Sequence, residues 1–185
     1  MAAVLATAAA AALAVPGSAL AATSANVTAN GNVSGSGFSL SAAPLGTPTF
    51  SANVDNGDST PTFSIPIVNQ DTRGSGAGWQ DQITSTQYTT GGATPQTLDV
   101  AASTITGVTS ACNPGRCTAP TNSVSYPVGV PAAATAPAAV KFFNAAANTG
   151  MGKFTITPTV AVSVPQNTYA GSYNSTVTLS VVTGP

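Results

Sequence analysis

General acid–base catalysis needs a His or paired carboxylates of shifted pKa, and nucleophilic catalysis needs a base beside the nucleophile. The 185-residue chain has no His, and its five carboxylates are all Asp: Asp55, Asp58, Asp71, Asp81 and Asp99. Asp71 and Asp81 flank a Gly-rich loop and could form a glycosidase-type pair, but Asp in turns commonly caps local backbone. The chain therefore reads as non-catalytic. Asp55-Asn56-Gly57-Asp58 offers oxygens to Ca²⁺ but lacks the ligand count of a dedicated loop, and Asn-Gly favours a tight hairpin turn. No metal site and no cofactor are expected.

The most informative stretch is Asn69-Gln-Asp71-Thr-Arg73-Gly-Ser-Gly-Ala-Gly-Trp79, which holds the only Trp and one of the two Arg residues. Its three glycines permit positive φ or a close backbone approach and deliver an aromatic into the next strand. Two readings follow. Trp79 is a core residue behind a tight turn whose loop Asp71 and Arg73 hydrogen-bond, or it is an aromatic platform for a sugar ring with Asp71 and Arg73 as polar handles.

Cys112 and Cys117 frame Asn113-Pro114-Gly115-Arg116. In an exported protein such a Pro-Gly turn brings two thiols together, so a disulfide stapling a loop tip is expected. A redox or metal pair would need C-x-x-C spacing or a His ligand.

Export is expected from the first 22 residues, which are almost entirely Ala, Val and Leu and close on Ser18-Ala-Leu-Ala-Ala22. Small residues at Ala19 and Ala21 suit a signal peptidase, giving a signal peptide over 1–21 cleaved after Ala21. Pro16-Gly17 argues against a structural helix there. No Lys or Arg precedes Arg73, so the basic start of a signal is not among these residues, and a late start or a missing amino terminus is expected. Residues 22–36 read as a flexible or extended leader, and 37–185 as one domain, a length suited to a real core.

No other stretch is apolar enough to span a bilayer. The carboxyl end carries no hydrophobic tail and no sorting signal, so retention outside the cell is expected to be non-covalent. Charged residues make up 5% of the chain, four basic and five acidic, against about 25% in an ordinary soluble domain. Nucleic acid needs clustered Lys and Arg and is excluded as a partner. Disorder goes with low hydrophobicity and high net charge, whereas 43% of residues are apolar and the net charge is −1. The mature chain should fold with a surface of hydroxyls and amides, suited to packing against copies of itself or a neutral polymer.

The elements that would position these residues are strands. Phe154-Thr-Ile-Thr-Pro-Thr-Val-Ala-Val-Ser-Val164 alternates apolar with small or polar residues, the period-2 signature of a half-buried strand. Tyr173, Val177, Leu179 and Val181 continue it after Pro165–Gly171, and the two runs read as neighbouring antiparallel strands. Earlier runs are Gly37–Ser41, Thr49–Val54, Thr62–Asn69, Trp79–Thr89, Thr97–Val108, Ser123–Val130 and Val140–Asn144. About nine short strands with turn signals between them predict an all-β, Ig-like antiparallel β-sandwich. Pro66 demotes its strand to an edge or marks a bulge. Ala132–Ala139 reads as a solvated loop on the same face as the cysteine staple.

Asp71-Thr-Arg-Gly-Ser-Gly-Ala-Gly-Trp79, Gly150-Met-Gly152, Val164-Pro165 followed by Tyr169-Ala-Gly-Ser-Tyr173, and Thr176-Val-Thr-Leu-Ser-Val-Val-Thr-Gly-Pro185 together resemble the WxL-domain surface proteins. The landmarks keep the family's order over nearly the whole mature chain. The resemblance implies a carboxyl-terminal β-sandwich, secretion and non-covalent attachment to the cell wall through peptidoglycan. Two departures matter: Trp79-Gln80-Asp81 stands where the family has Trp-x-Leu, and Leu179-Ser180-Val181 stands at the second copy. Aliphatic replacement keeps strand burial but removes an aromatic.

The expected function is a non-catalytic protein of the cell wall or surface, with Trp79, Arg73 and Asp71 as ligand-binding residues and a wall glycan or other surface proteins as partners. The alternative is a self-assembling subunit of an extracellular fibre or surface layer, whose residues 22–36 would pair with the open edge of a neighbouring copy.

Overall fold

A computed structural model describes residues 31–35, 37–42, 48–55, 57–113 and 115–185. The expected signal peptide, most of the expected leader and Asn56 of the expected hairpin turn lie outside the described residues. Contacts divide the chain into residues 1–33 and Ser34–Pro185, and every strand among the described residues lies in the second unit. The strands are β1 (Phe38–Ala42), β2 (Thr62–Ser64), β3 (Ile67–Asp71), β4 (Trp79–Thr86), β5 (Ser103–Cys112), β6 (Val128–Gly129), β7 (Ala132–Ala133), β8 (Val140–Ala145), β9 (Gly152–Val162) and β10 (Val177–Thr183). No helix occurs among the described residues, so none is present there to cross a membrane.

The expected all-β sandwich forms. One sheet runs β1-β3-β9-β5-β6, with β2 also on β9; the other runs β10-β4-β7, with β8 also on β4. All pairings are antiparallel except β4 with β7. The alternation of β9 points Phe154, Ile156, Pro158, Val160 and Val162 inward. They meet Trp79 and Ile83 of β4 and Phe142 and Phe143 of β8 in one core. Phe142 is the extra residue of a bulge where β8 shifts register against Asp81 and Gln82, which lets two consecutive aromatics be buried.

Pro66 breaks the run Thr62–Asn69 into β2 and β3, both on the same edge of β9. The break lies opposite Thr157 and Pro158, between the pairs Ser64 with Thr159 and Ile67 with Ile156. Two prolines without N–H groups thus meet at one interruption, where no ladder donor is lost. The Ile65 N–H donates to Pro158 O at 3.1 Å and bridges the gap.

Several expectations are corrected. β9 and β10 are not neighbours, because they lie in different sheets and β10 pairs with β4. Period-2 alternation reports that a strand buries one face but not which strand lies beside it, and consecutive strands pair only about two-thirds of the time. Thr49–Val54 forms no strand, although Phe50 packs on Phe63 and Tyr88. The run Thr97–Val108 begins as a single bridge from Thr97 to Thr89, and its strand starts at Ser103. Ser123–Val130 reduces to β6. Ala132–Ala133 is a strand beside Ser85 and Thr86, whereas Cys117 lies against Gly152 at the Trp79 end of β4, so the Ala-rich run and the staple sit at opposite ends.

Replacing Ile156, which is fully buried on β9, by Ala should lower the unfolding free energy by about 2–5 kcal/mol. Thr178→Ala, on the exposed side of β10, should change it by less than about 0.5 kcal/mol. Urea unfolding of both variants checks the orientation of the two strands.

Candidate functional site

The segment between β3 and β4 carries the chain from one sheet to the other, and its glycines make the crossing possible. Gly74, Gly76 and Gly78 all have positive φ. A Cβ on Gly78 would lie 2.5 Å from the Ala145 carbonyl oxygen, so the loop can pack against the end of β8 only without a side chain there. The crossing leads directly into Trp79, which is fully buried. Its indole packs on Phe143 and Phe38, and its Nε1–H donates to Gly150 O at 2.9 Å. Gly150 also has positive φ, and a Cβ there would lie 2.7 Å from that nitrogen. Trp79 therefore presents no face on which a sugar could stack. The platform reading is corrected by this burial, and the core reading describes the residue.

Asp71 and Arg73 form a clamp around the same crossing. Arg73 Nε donates to Asp71 Oδ1 at 2.9 Å and Nη2 to Oδ2 at 2.8 Å, the two-pronged geometry that makes Arg–carboxylate pairs strong. Nη2 also donates to Gly78 O at 2.9 Å, and Nη1 to Thr183 Oγ1 at 2.8 Å. The backbone N–H of Arg73 donates to Asp71 Oδ1 as well. The guanidinium carbon lies 4.2 Å from the centroid of the Phe38 ring. These hydrogen bonds hold the Asp71 carboxyl below the ordinary carboxylate range against an opposing effect of burial, and the same partner raises Arg73. One ion pair thus ties together β1, the end of β3, the glycine loop and the end of β10.

Asp81, two residues after Trp79, points into the core and is fully buried. Its only hydrogen bonds among the described residues come from Asn69 Nδ2, which lies 2.8 Å from both carboxylate oxygens. Asn69 belongs to β3 and Asp81 to β4, so a polar pair joins the two sheets through the core. Burial pushes the Asp81 carboxyl up to about 7, only partly opposed by Asn69. Asn69 Oδ1 is buried without a hydrogen-bond partner. With Asp71 clamped and Asp81 in the core, the suggested glycosidase pair presents no carboxylate to a substrate.

The remaining sequence candidates separate. Cys112 and Cys117 are joined in a disulfide across the loop tip. Asp58 Oδ1 accepts the Gln166 N–H at 2.8 Å, and among the described residues no group of three His, Cys, Asp or Glu could hold a metal ion. Asn69 and Gly150 were not distinguishable as partners of Asp81 and Trp79, since nothing in the sequence announces contacts made across 12 and 71 positions.

The family comparison decides the identity of this arrangement. The description "WxL domain surface cell wall-binding" matches residues 38–185. The chain belongs to the WxL-domain family. No curated protein and no solved structure matches it.

In this WxL domain the two motif positions lie on adjacent strands. Trp79 pairs with Thr183, Asp81 with Val181 and Ile83 with Leu179. Val177, Leu179 and Val181 pack against the core that contains Trp79. Both copies therefore line the inner face of one sheet, and the Leu position of the first copy is taken by a buried carboxyl paired with Asn69.

The pH dependence of stability follows from Asp81. Its folded-state pKa of about 7 lies above the ordinary 3.8, so the native state holds the proton more tightly than the unfolded chain. The associated stability is complete below about pH 4 and is lost as pH rises through about 7, by at most about 4 kcal/mol. Asp71 has the opposite sign and acts only below its ordinary pKa of 3.8. Thermal unfolding from about pH 5 to 8 should show the wild type losing stability with rising pH and Asp81→Asn nearly flat, with the variant the more stable at the upper end.

Proposed function

We propose that this WxL domain holds the protein non-covalently on the cell wall by binding peptidoglycan or a related wall glycan, and that it performs no catalysis. The observation carrying this reading is the match to a surface cell wall-binding family over residues 38–185, the whole span from the first strand to the end of the chain. The chemistry agrees with it. Asp71 and Asp81 are engaged internally, and the chain has no His, so its groups are suited to hydrogen bonding a polymer and not to cleaving one. In this reading Trp79, Asp71 and Arg73 support binding by fixing the crossing between the sheets, without touching the ligand. Secretion by the segment over 1–21 supplies the route to the wall.

Purified protein should sediment with isolated wall sacculi and stay in the supernatant without them. Arg73→Lys should lower thermal stability while leaving wall affinity per folded molecule within about twofold, because Lys cannot reproduce the forked contacts to Asp71. A loss of affinity in folded Arg73→Lys protein would return Arg73 to the binding surface.

A second reading, a self-assembling surface subunit, is favoured by the sheet edges. Among the described residues β1 is laddered only to β3 and β10 only to β4, so each is the end strand of its sheet, the position at which a further strand adds. Electron microscopy of concentrated protein should then show fibres or layers that disappear when residues 22–36 are deleted, and a monodisperse monomer would exclude this reading.

A further inference from the structure

The crossover from β9 to β10 forms one wall of a recess at the end of the sandwich away from the disulfide. The opposite wall is the turn that follows Tyr88. The recess measures about 290 Å³, near the lower limit for small-molecule sites. Gln96, Asp99, Asn167, Thr168, Tyr169 and Tyr173 are among its lining residues, and none of the residues lining it is Lys or Arg.

Both walls are held in place without a ligand. The backbone of Thr89 bridges to Thr97 on one side and to Asn174 on the other. Leu98 is buried beneath the first wall, and its N–H donates to Tyr88 O. In the second wall the Tyr173 hydroxyl donates to Tyr169 O at 2.9 Å, the Thr168 N–H donates to Pro165 O, and the Gln166 N–H donates to Asp58 Oδ1. A Cβ on Gly171 would touch Thr90, so the two walls approach closely beside the recess.

On this frame Tyr169 is 69% exposed and Val100, next to Asp99, is 48% exposed. They are two of the three large exposed apolar side chains among the described residues. Asp99 uses Oδ1 to accept the Ala101 N–H at 2.7 Å, and its second oxygen remains an acceptor. A wet aromatic ring beside amides, a hydroxyl and a carboxylate acceptor matches a pyranose, whose C–H face packs on a ring while its hydroxyls hydrogen-bond around the rim. The charges favour a neutral polymer over a phosphate-bearing one. Asp99 lines the recess and Asp58 lies beside it, while Arg116 and Lys153 lie at the opposite end of β9, so a phosphate-bearing chain finds two like charges and no cation to pair with.

We propose that the Tyr169–Tyr173–Asp99 recess is the glycan site of this domain and takes a neutral sugar chain of hexose or N-acetylhexosamine units. This rests on the wall-binding reading for its biological ligand, but the recess can be tested separately.

The full-length chain is sedimented with sacculi before and after hydrofluoric acid removes phosphodiester-linked polymers. N-acetylglucosamine oligomers are titrated in parallel while the Tyr ring resonances are followed by NMR. Wild-type binding should survive stripping. Tyr169→Ala should weaken it roughly five- to tenfold, Tyr169→Phe should keep it, and both variants should melt like the wild type. The oligomers should shift the Tyr169 and Tyr173 resonances. Sedimentation unchanged in Tyr169→Ala, binding lost on stripped sacculi, or Tyr resonances unmoved by the oligomers would each overturn the site. Shifted Tyr resonances together with no sedimentation of the wild type would keep the site and overturn the wall-binding reading instead.

Discussion

Arg73 is where the two sheets of this sandwich are fastened. Its guanidinium engages Asp71 at the end of β3, the Gly78 carbonyl just before β4 and Thr183 at the end of β10, and it covers the Phe38 ring of β1. A planar cation with donors in a fixed fork can meet all of these at once, and an ammonium cannot. The fastening matters more here than in an ordinary domain, because only 5% of the chain is charged and few other ions are available. With the side chain of Asp71 only 2% exposed, the carboxylate depends on Arg73 for its compensation. The pair fixes the path of the glycine loop into Trp79 and ties the end of β10 to that loop.

The motif that gives the family its name acquires a physical meaning from the register. Positions two apart on a strand share a face, so Trp79 and Asp81 both point inward, and Leu179 and Val181 pack against the same core from the adjoining strand. The pattern is one of packing. Trp79 suits it because the ring fills the space between β8 and β1 while its N–H is satisfied by Gly150. Asp81 departs from it, and the departure is accommodated by Asn69, whose amide stands opposite on the other sheet.

The residue types that fold locally were legible in the sequence. Alternation from Phe154 to Val162 marked β9, the three glycines marked a constrained crossing into Trp79, Pro66 marked a break, and the spacing of Cys112 and Cys117 marked the staple. What is settled by distant partners was not. The pairing of β10 with β4 depends on a crossover through Val164 and Asn174 that bridges first to Ser59 and then to Thr89. The burial of Trp79 depends on Gly150, and the inward turn of Asp81 depends on Asn69. A Trp after a glycine loop has the same sequence signature whether it faces solvent or core, and the two readings part only when the second layer of the sandwich is in place.

The placement of the few charges makes the domain unequal along its length. Arg116 and Lys153 lie at the end where β9 begins, and Asp58 and Asp99 where it finishes, eleven residues on, or about 35 Å at the rise of an extended strand. Between them the outward side chains of β9 include Thr155, Thr157 and Thr159, neither charged nor strongly apolar. Such a face offers hydroxyl donors and acceptors without charge, and hydrogen bonds are screened by mobile ions far less than charge pairs are.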